Sequence, residues 1–155
     1  MSDIRTAYGS KTTLVTTNFT SLANNSAWQS ATMDFSSTLY LDAIIRIQTK
    51  GQASGTATVD FYIAASINAD TTYPDSATGT EGTFTAANRL NATYLDSITM
   101  NTTSAVIRTL RSIASVLGYL PQKCALIGIN KSGAAVSTTA GDHIFEFQPI
   151  YMTTA

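Results

Sequence analysis

One cysteine, one histidine and two glutamates are all that this chain of 155 residues holds of its most chemically versatile side chains. The lone Cys124 excludes an intramolecular disulfide, and its place in the apolar run 124–129 marks it as a buried, inert thiol. A zinc site needs several Cys and His ligands, whereas Cys124 and His143 are single and far apart. A serine or cysteine hydrolase needs its histidine beside a nucleophile and an acid. His143 instead follows Gly141 and Asp142 in an ordinary turn, and no nucleophile-elbow pattern occurs. Glu81 and Glu146 are the only glutamates; Asp42 and Asp60 read as cross-strand neighbours in a surface charge ladder with Arg46 rather than a catalytic pair. Asp70, Asp75 and Glu81 offer oxygens to a cation, but their spacing matches no calcium loop, so they read as solvated loop acids. The expectation is a chain with no catalytic residue, no metal site and no cofactor, and therefore not an enzyme.

Charge is scarce as well. Charged residues make up 12% of the chain, about half the usual share, and the net charge is −1. The nine Lys and Arg are scattered, and Arg108 and Arg111 have the odd/even offset that puts them on opposite strand faces. Phosphate binding needs clustered cations, so nucleic acid is not an expected partner. No apolar run approaches the roughly 18 residues of a membrane-spanning helix, and the opening Met1-Ser2-Asp3-Ile4-Arg5-Thr6 lacks the pattern of a secretory leader. Asn-x-Ser/Thr triplets at Asn18, Asn24, Asn91, Asn101 and Asn130 are what this much Ser and Thr produces by chance.

What the chain does contain is hydroxyls and alternation. Ser and Thr supply about a quarter of it, and hydrophobic residues 44%, enough for one globular domain with a real core. A surface of hydroxyls repels its neighbours weakly, which suits a protein that lives packed against others. Leu39, Leu41, Ala43, Ile45 and Ile47 alternate with Tyr40, Asp42, Arg46 and Gln48. After a Gly/Ser/Thr-rich turn, Ala57, Val59, Phe61, Ile63, Ala65 and Ile67 alternate with Thr58, Asp60, Tyr62 and Ser66. Period 2 puts one face of a strand in the core and the other in water, so these runs predict two long strands joined as an antiparallel hairpin.

Further strands are expected over 12–19, 27–35, 92–100, 104–111, 123–130 and 143–152. The run 123–130 is apolar on both faces and predicts a central strand covered on both sides. Pro149 cannot donate to a ladder, which predicts an edge position or a break. Ile113, Val116, Leu117 and Leu120 follow helical spacing and predict one short helical turn before Gly118 and Pro121. About eight strands and little helix predict an all-β, two-sheet antiparallel sandwich of jelly-roll type, with an immunoglobulin-like sandwich as the alternative. The domain spans 12–155, preceded by an N-terminal arm over 1–11 without clear period. Twelve residues are expected in the core: Leu41, Ala43, Ile45, Ile47, Val59, Phe61, Ile63, Leu126, Ile127, Ile129, Phe145 and Phe147.

Candidate functional residues are therefore those that bind rather than react. Ile4 and Tyr8 in the arm are expected to order against a partner. The long loop 68–90, with Tyr73, reads as a second adhesive segment. Tyr40 and Tyr62, on the polar faces of the presumed hairpin, predict an exposed aromatic pair, either a glycan platform (with Trp28, Tyr73 and Tyr94 as further candidates) or an interface anchor. Low surface charge and surplus aromatics together predict a homo-oligomer, a trimer before other closed rings.

The segments Tyr62-Ile63-Ala64-Ala65-Ser66, Tyr73-Pro74-Asp75, Ser112-Ile113-Ala114 with Gly118-Tyr119-Leu120-Pro121, Ile127-Gly128-Ile129-Asn130-Lys131-Ser132-Gly133-Ala134-Ala135 and the closing stretch 141–151 come in an order that resembles small structural proteins of tailed bacteriophages. The resemblance covers roughly residues 22–151. It implies a jelly-roll capsid decoration, or cement, protein, often trimeric, made in the host bacterial cytoplasm and resident in the virion. Its implied partners are the major capsid protein or other virion proteins. A tail or fibre component, or an adhesin module binding carbohydrate, is the alternative.

Overall fold

The two alternating runs form the strands their period requires, β5 (Tyr40–Thr49) and β6 (Thr58–Ala65), but these strands do not pair with each other. The computed structural model describes residues 3–52, 58–66, 72–85, 87, 91–100 and 107–154, so half of the expected hairpin turn over 50–55 lies outside the described residues. The other described strands are β1 (Ile4–Tyr8), β2 (Thr12–Leu14), β3 (Ala27–Gln29), β4 (Met33–Asp34), β7 (Gly82–Phe84), β8 (Thr93–Thr99), β9 (Ile107–Ser112), β10 (Lys123–Lys131) and β11 (Ile144–Thr154). One antiparallel sheet runs β1-β11-β5-β9, with β2 also on β11; the other runs β7-β3-β10-β6-β8, with β4 also on β10. The expected hairpin is therefore a crossing from one sheet to the other. Alternation dictates which face of a strand is buried, and the facing sheet covers that face whichever strands are its neighbours in its own sheet.

β1 and β2 lie along one side of β11, and β3 and β4 along one side of β10. Counting each interrupted pair once and setting the short β7 aside leaves eight strands. The first sheet then holds the first, eighth, third and sixth of these, and the second holds the second, seventh, fourth and fifth.

The segment read as an irregular arm is thus, from Ile4 to Tyr8, a border strand on β11. Pro149 explains why that border is interrupted. β11 sits inside its sheet, not at the edge expected for a proline-bearing strand, and Pro149 lies opposite Ala43 of β5. On the other side Gly9 donates its N–H to the Pro149 carbonyl at 2.8 Å, and the chain then leaves the ladder before β2. The missing N–H would have donated to the Gly9 carbonyl opposite, and the Gln148 side chain takes its place there. A side chain at Gly9 would start 2.9 Å from Pro149 Cγ, and Gln148 Nε2 donates to the Gly9 carbonyl at 3.0 Å.

The core fills the space between the sheets. Ala43, Ile45, Ile47, Val59, Phe61, Ile63, Leu126, Phe145 and Phe147 are buried there, as their parity predicts. Leu41 is the exception at 47% exposed. The β5–β11 register shifts between Ile150 and Tyr151, leaving Leu41 as an unpaired extra residue, a bulge that ends the parity of the run. Phe19 lies in a turn rather than at the end of a strand, and stacks on Phe61 at 6.2 Å. Ile127 and Ile129 are buried on the opposite face of β10, in a second cluster with Tyr73 and Ala77. The described part of the long loop is thus the cover that 123–130 requires. Asp75 holds that cover, its carboxylate accepting from the Asn91 and Ala92 amides at 2.7 and 2.8 Å.

The helically spaced run forms α1 (Ile113–Leu117), capped by the Ser112 hydroxyl, which accepts from Ser115 N–H at 3.0 Å, and ended by Gly118 at φ 80°. Truncating Phe61→Ala removes a fully buried ring from between the sheets. The expected cost is about 3–5 kcal/mol in denaturant unfolding; a loss under about 1 kcal/mol would show that the ring does not fill the core.

Candidate interface

Phe145 and Phe147 point inward, so the even-numbered residues of β11 face outward. Residues directly opposite across an antiparallel ladder share a face. The β1–β11 register sets Ile4 opposite Thr154, Thr6 opposite Met152 and Tyr8 opposite Ile150, which puts Ile4, Tyr8 and Met152 on the outer face. They are 69%, 60% and 59% exposed. β5 begins at Tyr40, opposite Tyr151, so the last residues of β11 continue with β1 alone as a two-stranded ribbon. Leu39, 94% exposed, precedes Tyr40 beside this ribbon. Farther along the same sheet, Ile44 and exposed Leu110 flank a shallow depression of about 110 Å³ around the Arg46–Glu146 ion pair, which closes at 2.8 Å. This outer face carries much of the large apolar surface that the protein exposes.

Of the residues expected at an interface, Ile4 and Tyr8 are brought together here. The others are not. The bulge at Leu41 turns Tyr40 inward, where it meets Phe35 and Tyr151 edge to face at 6.2 and 6.3 Å. Tyr62 lies on the other sheet, edge to face with half-exposed Tyr94 at 5.6 Å, so the Tyr40/Tyr62 pair does not exist. Tyr73 is buried under its loop with its hydroxyl 2.7 Å from Thr32 Oγ1, and burial raises its phenol. Trp28 is fully buried, its Nε1 donating to Glu81 at 2.8 Å. Met152, Leu39 and Leu110 escaped the sequence reading. Ile150 and Met152 did carry a signal, since they interrupt the polar parity of the last strand.

The titratable groups weighed for chemistry hold the fold together instead. Asp42 and Asp60 are on different sheets. Asp42 accepts from the Ser112 hydroxyl and, at 2.8 Å, from the Ala114 amide at the start of α1. Burial pushes Asp60 up, but Lys131 at 2.8 Å and the Ser97 and Thr58 hydroxyls outweigh it and hold the carboxyl below its ordinary range. His143 is buried between Thr49 Oγ1 and the Ser137 carbonyl, each 2.9 Å from a ring nitrogen. A carbonyl only accepts, so Nε2 carries the hydrogen and Nδ1 accepts from Thr49. Cys124 is buried and its thiol is driven far up by desolvation. Asp70, one of the calcium candidates, lies outside the described residues, and among those described no three of His, Cys, Asp and Glu gather as a metal set would. No protein-family model matches the chain, and no curated protein does.

Buried His143 and three hydrogen-bonded carboxylates make stability depend on pH. Burial lowers the His143 pKa, against the opposing pull of Ser137 and Asp142, so the unfolded chain takes up the proton first. Its contribution is complete above about pH 6.5 and is lost progressively as pH falls from there through the lower folded-state value. Hydrogen bonds to Ser36 and Ser137 lower Asp34 and Asp142, and both join Asp60 below the carboxylate range. These three add a second loss below about pH 4. Melting temperature should therefore fall in two stages on acidification, and His143→Gln should abolish the upper one. A profile flat from neutrality down to about pH 4 would contradict the assignment.

Proposed function

We propose that the chain is a non-enzymatic structural protein of a virion, a jelly-roll protein that decorates the capsid surface and stabilises the shell. The strand order carries this reading. Among the eight described strands, only the pair β6 and β8 is adjacent in the chain and also paired in one sheet. Every other connection passes from sheet to sheet, which is the result of rolling up one long antiparallel ribbon. Jelly rolls are built so, and the architecture recurs in viral capsid and lectin domains. An immunoglobulin-like sandwich keeps several sequence neighbours as hairpins within a sheet.

Fold alone is an analogy, and the surface adds to it. The polar groups that chemistry would need are engaged in holding strands together, while large apolar side chains are left outside on the first sheet. A decoration protein works through such a face. Each bound copy adds interface to the assembled shell and none to the dissociated one, so it stabilises the shell by mass action. The partner in this reading is the major capsid protein. The adhesin alternative loses its expected platform with the separation of Tyr40 from Tyr62.

Microscopy of purified particles that contain the chain should find it on the capsid surface, and shells lacking it should gain heat resistance when the purified protein is added. Density confined to the tail, or a glycan-array signal without shell binding, would overturn the proposal in favour of the adhesin.

A further inference from the structure

We propose that two copies of this chain associate edge to edge through β1, about a twofold axis at Thr6. Gly9 directs its N–H across the ladder to Pro149, and peptide groups alternate sides along a strand. Arg5 and Ala7 therefore serve the β11 ladder, while Ile4, Thr6 and Tyr8 aim their N–H and C=O groups away from it. Among the described residues β1 is the last strand on its side of the sheet. Other borders are guarded: Arg111 of β9 and Asp96 of β8 close an ion pair at 2.8 Å, and β7 is three residues long. β1 has neither lysine nor proline, and its ribbon with β11 is a unit that is marginal in water without a third strand.

The sequence of β1 is complementary to itself. With Thr6 opposite the partner's Thr6, Ile4 meets the partner's Tyr8 and Tyr8 meets the partner's Ile4. Both pairs fall on the outer face, and β-branched against aromatic is a favourable cross-strand pairing. All three outward-facing residues of each copy then exchange hydrogen bonds with the other. Arg5 comes diagonally near the partner's Arg5, but Asp3 of its own chain neutralises it at 3.5 Å. Such an isologous contact closes at two copies, whereas a threefold ring would leave this edge open. The pairing holds whether or not the chain belongs to a particle.

Sedimentation of the purified chain at micromolar concentration should show a dimer. Thr6→Pro deletes the outward N–H at the axis and spares the ladder to β11, so it should raise the dimer dissociation constant by about tenfold or more. Directly opposed Cα atoms of a hydrogen-bonded pair lie about 5.5 Å apart, within disulfide range. Oxidised Thr6→Cys should therefore become a covalent dimer, while Leu110→Cys on β9 should not; Cys124 is buried and does not interfere. A monomeric or trimeric wild type, a dimer indifferent to Thr6→Pro, or a dimer in which Thr6→Cys fails to cross-link would overturn the pairing.

Discussion

Phe145 is the side chain on which the rest of the structure depends. It projects from β11 into the middle of the sandwich and meets Phe19 at 4.8 Å, Trp28 at 5.3 Å and Phe61 at 5.7 Å. These rings come from a turn, from β3 and from β6, so one contact joins both sheets and the connection between them. Aromatic rings prefer edge-to-face contacts, and a cluster of them resists sliding of one sheet over the other. Gly128 makes the room: a side chain there would begin 3.1 Å from Phe19 and 3.2 Å from Phe61. Trp28 carries the cluster outward through Glu81, which also accepts from the Asn18 amide at 2.8 Å. Once Phe145 is inside, the parity of β11 is settled, and Ile150 and Met152 must face away from the core. The exposed apolar face is therefore a consequence of the same packing that stabilises the domain.

The few charges are spent on holding strands together. Arg46 binds Glu146, Lys131 binds Asp60, Lys50 lies 3.3 Å from Asp142, and Arg111 binds Asp96. Partly exposed pairs of this kind contribute modestly to stability, but each removes two charges from the set that could keep neighbouring molecules apart. A surface covered by hydroxyls, with Ile4, Tyr8, Leu39, Leu110 and Met152 outside, has little to oppose association. Low charge, read first as a composition, thus acquires a place in the fold.

Much of the architecture was legible because periodicity is local. Ala43, Ile45 and Ile47 on β5, and Val59, Phe61 and Ile63 on β6, are buried as alternation requires, and Ile113, Val116 and Leu117 form the short helix their spacing describes. The double-sided apolarity of 123–130 correctly required a cover, which the loop carrying Tyr73 and Ala77 provides. The candidate surface was only half legible. Ile4 and Tyr8, expected at an interface, do lie exposed on the outer face, whereas Tyr40 was misplaced by one extra residue at Leu41. A bulge leaves no mark in an alternating pattern except the inversion of everything beyond it.

The sequence by itself determined the long alternating strands, most of their inward faces, the scarcity of reactive groups and the absence of a cationic stripe, because each depends on residue type or on spacing within a few positions. Tertiary structure alone decided which strands became neighbours. β5 and β6 have equally good apolar faces, and nothing local distinguishes pairing in one sheet from facing across two. The choice rests on contacts between residues far apart in the chain, such as Arg46 with Glu146 and Phe61 with Phe145. The same holds for β1: only the ladder on β11 makes a strand of a segment without a period of its own, and only the proline in that ladder tells it where to stop.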